Sequence, residues 1–404
     1  MKRIGIGLCG AVLIAVGLAV AYHALRPHAP TIVGSPRTEY VPSTPPPAPA
    51  EPGVAWATYG HDGTRARAVA GLHVRPPFRR LWTFHGRALL EFPPALAYGD
   101  VYLPTFDGRL VAVDAATGRA VWRYVSRRCG WSSPAVSDHL VYVTFAGSSE
   151  CRSSARDGLL VALDALTGRV RWERVLPPTE SSPLVALGRV YVGDWSGRVS
   201  AFDARSGRLR WRRRLHGAIK GSLALAARSL FIGTYGGDVV SLEARSGRVL
   251  WTSGGHGRFY SSPAVAYGRV YIGSLDGGVY AFGAGTGHLL WSRPTRGYVY
   301  ASPAVWRHRV LIGSYDHRFY ALDAGTGEVR WRFSANGRIS GAAAVIDGLV
   351  YFSTFGGRTY ALRAAGGAVV REWPDGEYSP AVAAPGRLYL VGLGRLYALG
   401  PAGR

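Results

Sequence analysis

Along most of the chain, short apolar runs alternate with polar, glycine-bearing turns at near-constant spacing. In the clearest stretch, Ser262-Pro263-Ala264-Val265 is followed by Val270-Tyr271-Ile272-Gly273, Val279-Tyr280-Ala281-Phe282, then Thr286-Gly287 and Trp291. Runs this short, rich in Val, Tyr and Ile and bounded by Gly, predict β-strands. The phrase recurs eight times between Leu81 and Gly400. Trp82, Trp122, Trp172, Trp211, Trp251, Trp291 and Trp331 mark it, at steps of 40, 50, 39, 40, 40 and 40 residues. An eighth unit surrounds Trp373, with its register slipped by about two residues. Four strands per unit at this period predict an all-β, eight-bladed β-propeller of four-stranded antiparallel blades.

Each strand of the unit has its own logic. The first, as at Ser182 to Val185 or Ser302 to Val305, carries small residues suited to the crowded centre, and proline is tolerated at its start. Asp-Gly and Gly-Gly pairs after the second strand favour tight hairpins. The Asp-Ala-x-Thr-Gly that follows the third strand, as at Asp323 to Gly327, lets Asp accept turn N–H groups and Gly supply positive φ. The closing Trp buries enough area to seal one blade on the next. These consensus residues therefore serve folding. The last unit ends at Tyr397-Ala398-Leu399-Gly400 without a Trp strand, whereas Arg79-Arg80-Leu81-Trp82 is a Trp strand with no third strand before it. The N-terminal strand near Trp82 is thus expected to complete the last blade and close the ring.

From Trp56 to Gly400 the chain resembles the quinoprotein-type (PQQ-like) β-propeller family, on the Ser-Pro-Ala-Val, Tyr-Ala-Leu-Asp-Ala-x-Thr-Gly and Trp strands. Trp56 to Gly63 is similar to the lead-in segment of that family. The resemblance implies one of two roles. One is a non-catalytic scaffold of the BamB type, which offers a docking surface in outer-membrane protein assembly. The other is a PQQ-dependent dehydrogenase of alcohols or sugars, with a vicinal disulfide, a calcium-binding Glu/Asn/Asp set and a catalytic Asp. This sequence has no Cys-Cys pair, and Asp107, Asp276 and Asp316 fall in hairpin turns. The expectation is therefore no catalytic residue, no resident metal and neither PQQ nor calcium, with the oxidoreductase as the alternative.

The N-terminus changes the picture of where the propeller works. Lys2 and Arg3 precede the uncharged, mostly apolar run Ile4 to Leu25. As a helix it would reach about 33 Å, enough to cross a bilayer and longer than a signal-peptide core. Residues 1–26 are expected to be an uncleaved signal anchor, with cleavage after Ala19-Val20-Ala21 giving a secreted form as the alternative. Basic residues ahead of the run keep that end cytoplasmic and put the propeller, residues 54–404, outside a cell membrane crossed once. Residues 27–53 are proline-rich, including Pro45-Pro46-Pro47, and read as an extended spacer. Of the two cysteines beyond the anchor, Cys129 and Cys151 both lie in the second, longer unit. A disulfide between them suits an oxidising compartment.

Net charge is +23, nearly all from arginine. With that extracytoplasmic address and no nucleic-acid module in view, nucleic acid is excluded as a partner. Envelope or membrane proteins, or an anionic or sugar ligand of the envelope, remain, with a monomeric ectodomain expected. The histidines form no HExxH pair and no GxSxG elbow occurs. One set of positions varies where the scaffold is constant: Glu91, Trp131, Glu180, Lys220, Tyr260, Tyr300, Ser340 and Glu377, two residues ahead of each first-strand Ser or its counterpart. These side chains are expected to gather at one mouth of the central channel, with Phe92, Gly221, Ala301 and Tyr378 beside them. Carboxylates, a lysine and aromatics together suit a polar ligand with a flat face, such as a sugar.

Overall fold

The computed structural model describes residues 29–42, 51–147, 156–378 and 381–402. Eight antiparallel blades follow one another around a central axis. Blade 5 is representative: Ala264–Ala266 innermost, then Arg269–Gly273, Gly278–Gly283 and, outermost, Leu289–Pro294. Seven of the eight innermost strands are three residues long, beginning after Ser-Pro or its counterpart, and that of blade 8, Ala381–Ala384, has four. Proline has no N–H for a ladder, and the serine is occupied elsewhere. The Ser133 N–H donates to Ser182 Oγ, Ser182 N–H to Ser222 Oγ, Ser222 N–H to Ser262 Oγ and Ser262 N–H to Ser302 Oγ, all at 2.8–3.0 Å. The repeated serine is thus a belt from blade to blade.

A second belt runs near the perimeter on the opposite face. Among the described residues, in seven of the eight blades an outer-strand Trp donates its indole N–H to the Ala carbonyl of the turn after the next blade's third strand, as Trp122 to Ala165, Trp172 to Ala204 and Trp291 to Ala324. Its ring covers the turn glycine so closely that a Cβ at Gly327, φ +76°, would lie 2.7 Å from Trp291. Glycine is therefore required twice over there, by φ and by contact.

Ring closure follows the expected split. Phe78–His85 is the outer strand of blade 8, paired antiparallel with Arg395–Pro401, Trp82 opposite Ala398. Trp82 reaches forward to the Ala115 carbonyl of blade 1, so the last interface copies the others.

Three findings go beyond the expected architecture. First, the lead-in does not merely precede the first blade. Val54–Trp56 pairs with the innermost strand of blade 1, and Ala68–Val69 with that of blade 7. Between them the carbonyls of Ala57, Gly63, Thr64, Ala66 and Arg67 accept N–H groups from the innermost strands of blades 2, 4, 5, 6 and 7. The segment circles inside the channel and pairs the strand edges that line it. Second, Arg65 and Arg67 are buried at its centre. Arg65 donates to the Leu223, Tyr59 and Ser182 carbonyls, and Arg67 to those of Arg65 and Pro303. Burial and the adjacent Arg67 pull Arg65 down to about 9, so it remains charged at neutral pH. Third, over residues 29–42 the expected spacer lies against the propeller, as described below. The expected transmembrane helix falls within residues 1–28 and Cys151 within 148–155, both outside the described residues; among the described residues no helix is long and apolar enough to cross a membrane.

Candidate functional site

The loops entering the innermost strands and the hairpins joining second to third strands share one face. Each hairpin tip is tied to its own blade's entry loop: the N–H of Trp195 donates to the Pro178 carbonyl, Tyr235 to Ala218, Tyr315 to Tyr298 and Phe355 to Arg338. Two rings of side chains therefore converge on the axis, one from entry loops and one from hairpin tips. They enclose a cavity of about 270 Å³. The lead-in closes it below: Tyr59 lines the floor, its hydroxyl 3.3 Å from Ser302 Oγ and its ring 4.4 Å from the Arg67 guanidinium. The channel is thus a cup, open on one side.

Six of the eight variable positions, Glu91, Glu180, Lys220, Tyr260, Tyr300 and Ser340, line this cup. Glu180, Lys220 and Tyr260 are in direct contact. Lys220 Nζ lies 2.7 Å from Glu180 Oε1, and the Tyr260 hydroxyl donates to the other carboxylate oxygen. Lys220 Nζ also sits 3.3 Å from the centroid of the Trp195 ring, a cation–π contact. Burial and the facing Glu180 carboxylate hold the Tyr260 hydroxyl well above the usual phenol range, so it stays a neutral donor. Glu180 is only 8 % exposed and Lys220 only 19 %, which makes this a largely desolvated ion pair. Such a pair gains little net stability against its desolvation cost, which leaves recognition as its more natural use.

The remaining wall is aromatic. Tyr260, Tyr300, Tyr315, Phe355 and Tyr378 follow one another around blades 5 to 8, with successive centroids 5.2, 4.7, 5.8 and 5.4 Å apart. The cup therefore has a charged pole on blades 3 and 4 and an aromatic pole opposite.

Trp131 and Glu377 are not part of the lining. Trp131 is buried behind it, stacked 6.1 Å from Trp195 and against Phe106, beside the fully buried Cys129. It supports the wall without facing the cavity. Glu377 sits outside, its carboxyl raised by burial. Phe92, Gly221 and Tyr378 do line the cup, whereas Ala301 is fully buried in the core between blades 5 and 6. A Cβ at Gly221 would meet the Ser261 and Tyr260 carbonyls at 2.8 and 2.9 Å, so its smallness also lets two entry loops approach. The hairpin-tip ring was not singled out in the sequence, although Trp195, Tyr235, Tyr315 and Phe355 stand at multiples of the forty-residue step. Asp107, Asp276 and Asp316 are turn residues as expected: Asp276 accepts from the Gly257 and Gly278 N–H groups and the Tyr280 hydroxyl.

A family profile described as "Outer membrane protein assembly factor BamB" matches residues 79–218 and 195–403. No curated protein sequence matches the chain. Among solved structures, BamB from Moraxella catarrhalis superposes with a TM-score of 0.67 at 19% identity, covering 80% of this chain and 99% of that one. Quinohemoprotein alcohol dehydrogenase from Comamonas testosteroni gives 0.72 at 15% identity, covering 87% and 81%. A europium-containing methanol dehydrogenase gives 0.69 at 13%, covering 87% and 98%. At these identities the superpositions establish the shared propeller alone. The profile, spanning nearly every blade, shows that the chain belongs to the PQQ-repeat propeller family described by BamB.

Proposed function

We propose that this protein is a non-catalytic binding propeller of the cell envelope, held to a membrane by its N-terminal anchor, that receives an envelope ligand or a partner's side chains in the cup. The observation that carries this reading is the pairing of one lysine, fixed between Glu180 and Trp195, with the Tyr300–Tyr315–Phe355 wall across a closed floor. Aromatic faces stack on the apolar face of a sugar ring while the charged pole bonds its hydroxyls. Membership of a family that includes an assembly scaffold supports a docking role in place of chemistry. Immobilised chain should retain envelope oligosaccharides, and Trp195→Ala or Tyr300→Ala should cut retention at least tenfold. Equal retention by wild type and both variants would remove the cup from the account.

The dehydrogenase alternative draws on two of the structural neighbours. PQQ is a tricarboxylate, and calcium needs several oxygen donors. The cup offers such a group Glu91 and Glu180, with one lysine already matched by Glu180, both of whose oxygens are engaged. These residues suit neither guest. Adding the quinone and calcium to purified chain should therefore give no dye-linked oxidation of alcohols or sugars.

A further inference from the structure

The start of the described chain is docked along one edge of the propeller. Ala29 is buried at the cup-side end of blade 5's outer edge, where a Cβ on Gly278 would be 2.4 Å from its own. From there residues 29–34 descend along the outermost strand: the Ser292 hydroxyl donates to the Pro30 carbonyl, Ile32 forms a two-way antiparallel bridge with Ser292, and the Gly34 N–H donates to the Thr326 carbonyl. The segment then reaches the opposite face. There the fully buried Arg269 guanidinium donates to the carbonyls of Ser35, Thr38 and Glu39 and, on blade 6, of Ala324 and Gly325. Tyr40 stacks on Tyr267, and Glu39 holds Thr286 and His288. This is a built attachment rather than a passing strand.

The apolar run ends at Leu25, four residues before Ala29. Even fully extended, four residues span at most about 14 Å. A propeller whose chain leaves at the cup-side rim on so short a tether cannot present its opposite face to the membrane that holds the anchor. That rim carries Arg258, Arg296 and Arg338, one in each entry loop of blades 5, 6 and 7, all exposed. Among the described residues none of them forms an ion pair with a carboxylate. The neighbouring acids Asp276 and Asp316 are engaged by backbone N–H groups and by Tyr280 and Tyr320. Phe355, 38 % exposed, adds an aromatic at the same rim. Arginine beside aromatics is the composition that settles at a bilayer's headgroup level.

We infer that the cup face is apposed to the bilayer that carries the protein's own anchor, with Arg258, Arg296 and Arg338 on anionic phospholipid headgroups, so that the cup opens toward ligands presented at the membrane surface. This rests on the anchor reading above. The docked segment at 29–42 and the short tether set the orientation, and the arginines supply the contact.

The test uses full chain reconstituted into vesicles containing phosphatidylglycerol and a headgroup-dye acceptor. A fluorescent amino acid replaces His317, exposed on the cup face of blade 6, or Arg307, exposed on its opposite face. Energy transfer should be at least threefold greater from position 317. Combined Arg258→Glu, Arg296→Glu and Arg338→Glu should reduce that excess, as should vesicles of phosphatidylcholine alone. Protein that floats with vesicles but transfers equally from both positions, or more from 307, overturns the orientation while leaving the anchor standing. Protein that does not float overturns both. An excess at 317 that neither the triple variant nor neutral lipid alters overturns the headgroup contact and points to a membrane-protein partner at this face.

Discussion

At the residue scale the consensus positions are inter-blade fasteners. Trp291 is fully buried, bonds the Ala324 carbonyl and covers Gly327. Trp291→Ala should cost about 3–5 kcal/mol in denaturant unfolding, because the cavity it leaves is bounded by two rigid sheets. Ser222→Ala removes one link of the serine belt and should cost only about 1 kcal/mol. The turn aspartates make acid a weakness. Asp164, bonded first by Arg171 and then by Thr167, is held down to about 2, and Asp203 is lowered in the same way by Arg210. A carboxyl depressed on folding stabilises above its unfolded value of about 4 and loses that contribution as pH falls towards the folded value. Melting temperature should therefore fall between about pH 4 and pH 2, and less steeply in Asp164→Asn. The tryptophan and aspartate roles were legible in the sequence because most copies repeat the same residue for the same task, whereas the first-strand serine read only as a small residue and its hydrogen-bonded belt was not foreseen. Arg65 and Arg67 were not legible, since they lie outside the repeat and nothing in Thr64-Arg65-Ala66-Arg67 marks them for the channel's centre.

At the element scale two N-terminal segments do work that strand periodicity does not encode. The lead-in follows the curvature of the channel, so its backbone bonds come from the innermost strands of several blades and no alternating pattern appears. The segment at 29–42 is held by carbonyls converging on Arg269. Proline content reads it as an extended spacer, whereas over residues 29–42 it turns at 36–39 and lies on the propeller, a surface that composition does not encode. Arg269→Ala should release it: amide exchange at Ile32, Gly34 and Val41 should accelerate by at least tenfold while the blade 5 strand amides Tyr271 and Ala281 stay protected. Unchanged exchange would show that the docked segment does not depend on this guanidinium. The closing strand at Phe78–His85 was legible because the missing Trp strand at the end and the surplus one at the start are complementary.

At the scale of the whole molecule, a symmetric scaffold is made asymmetric at one mouth. The entry-loop ring was visible as variation against constant surroundings, and six of its eight positions line the cup. The loop offset alone could not show that Trp131 turns behind the wall, nor that the hairpin tips supply Tyr315 and Phe355, two of the five aromatics in the wall, because both depend on how one blade leans on the next. The central claim is that the cup binds a ligand through Lys220, held by Glu180 and Trp195. Calorimetric titration of purified chain with defined envelope oligosaccharides tests it most directly, comparing wild type with Lys220→Met and with Arg332→Met on the exposed outer strand of blade 6. The account predicts at least a tenfold weaker Kd for Lys220→Met, about 1.4 kcal/mol, and no change for Arg332→Met. Wild-type affinity in Lys220→Met would contradict it.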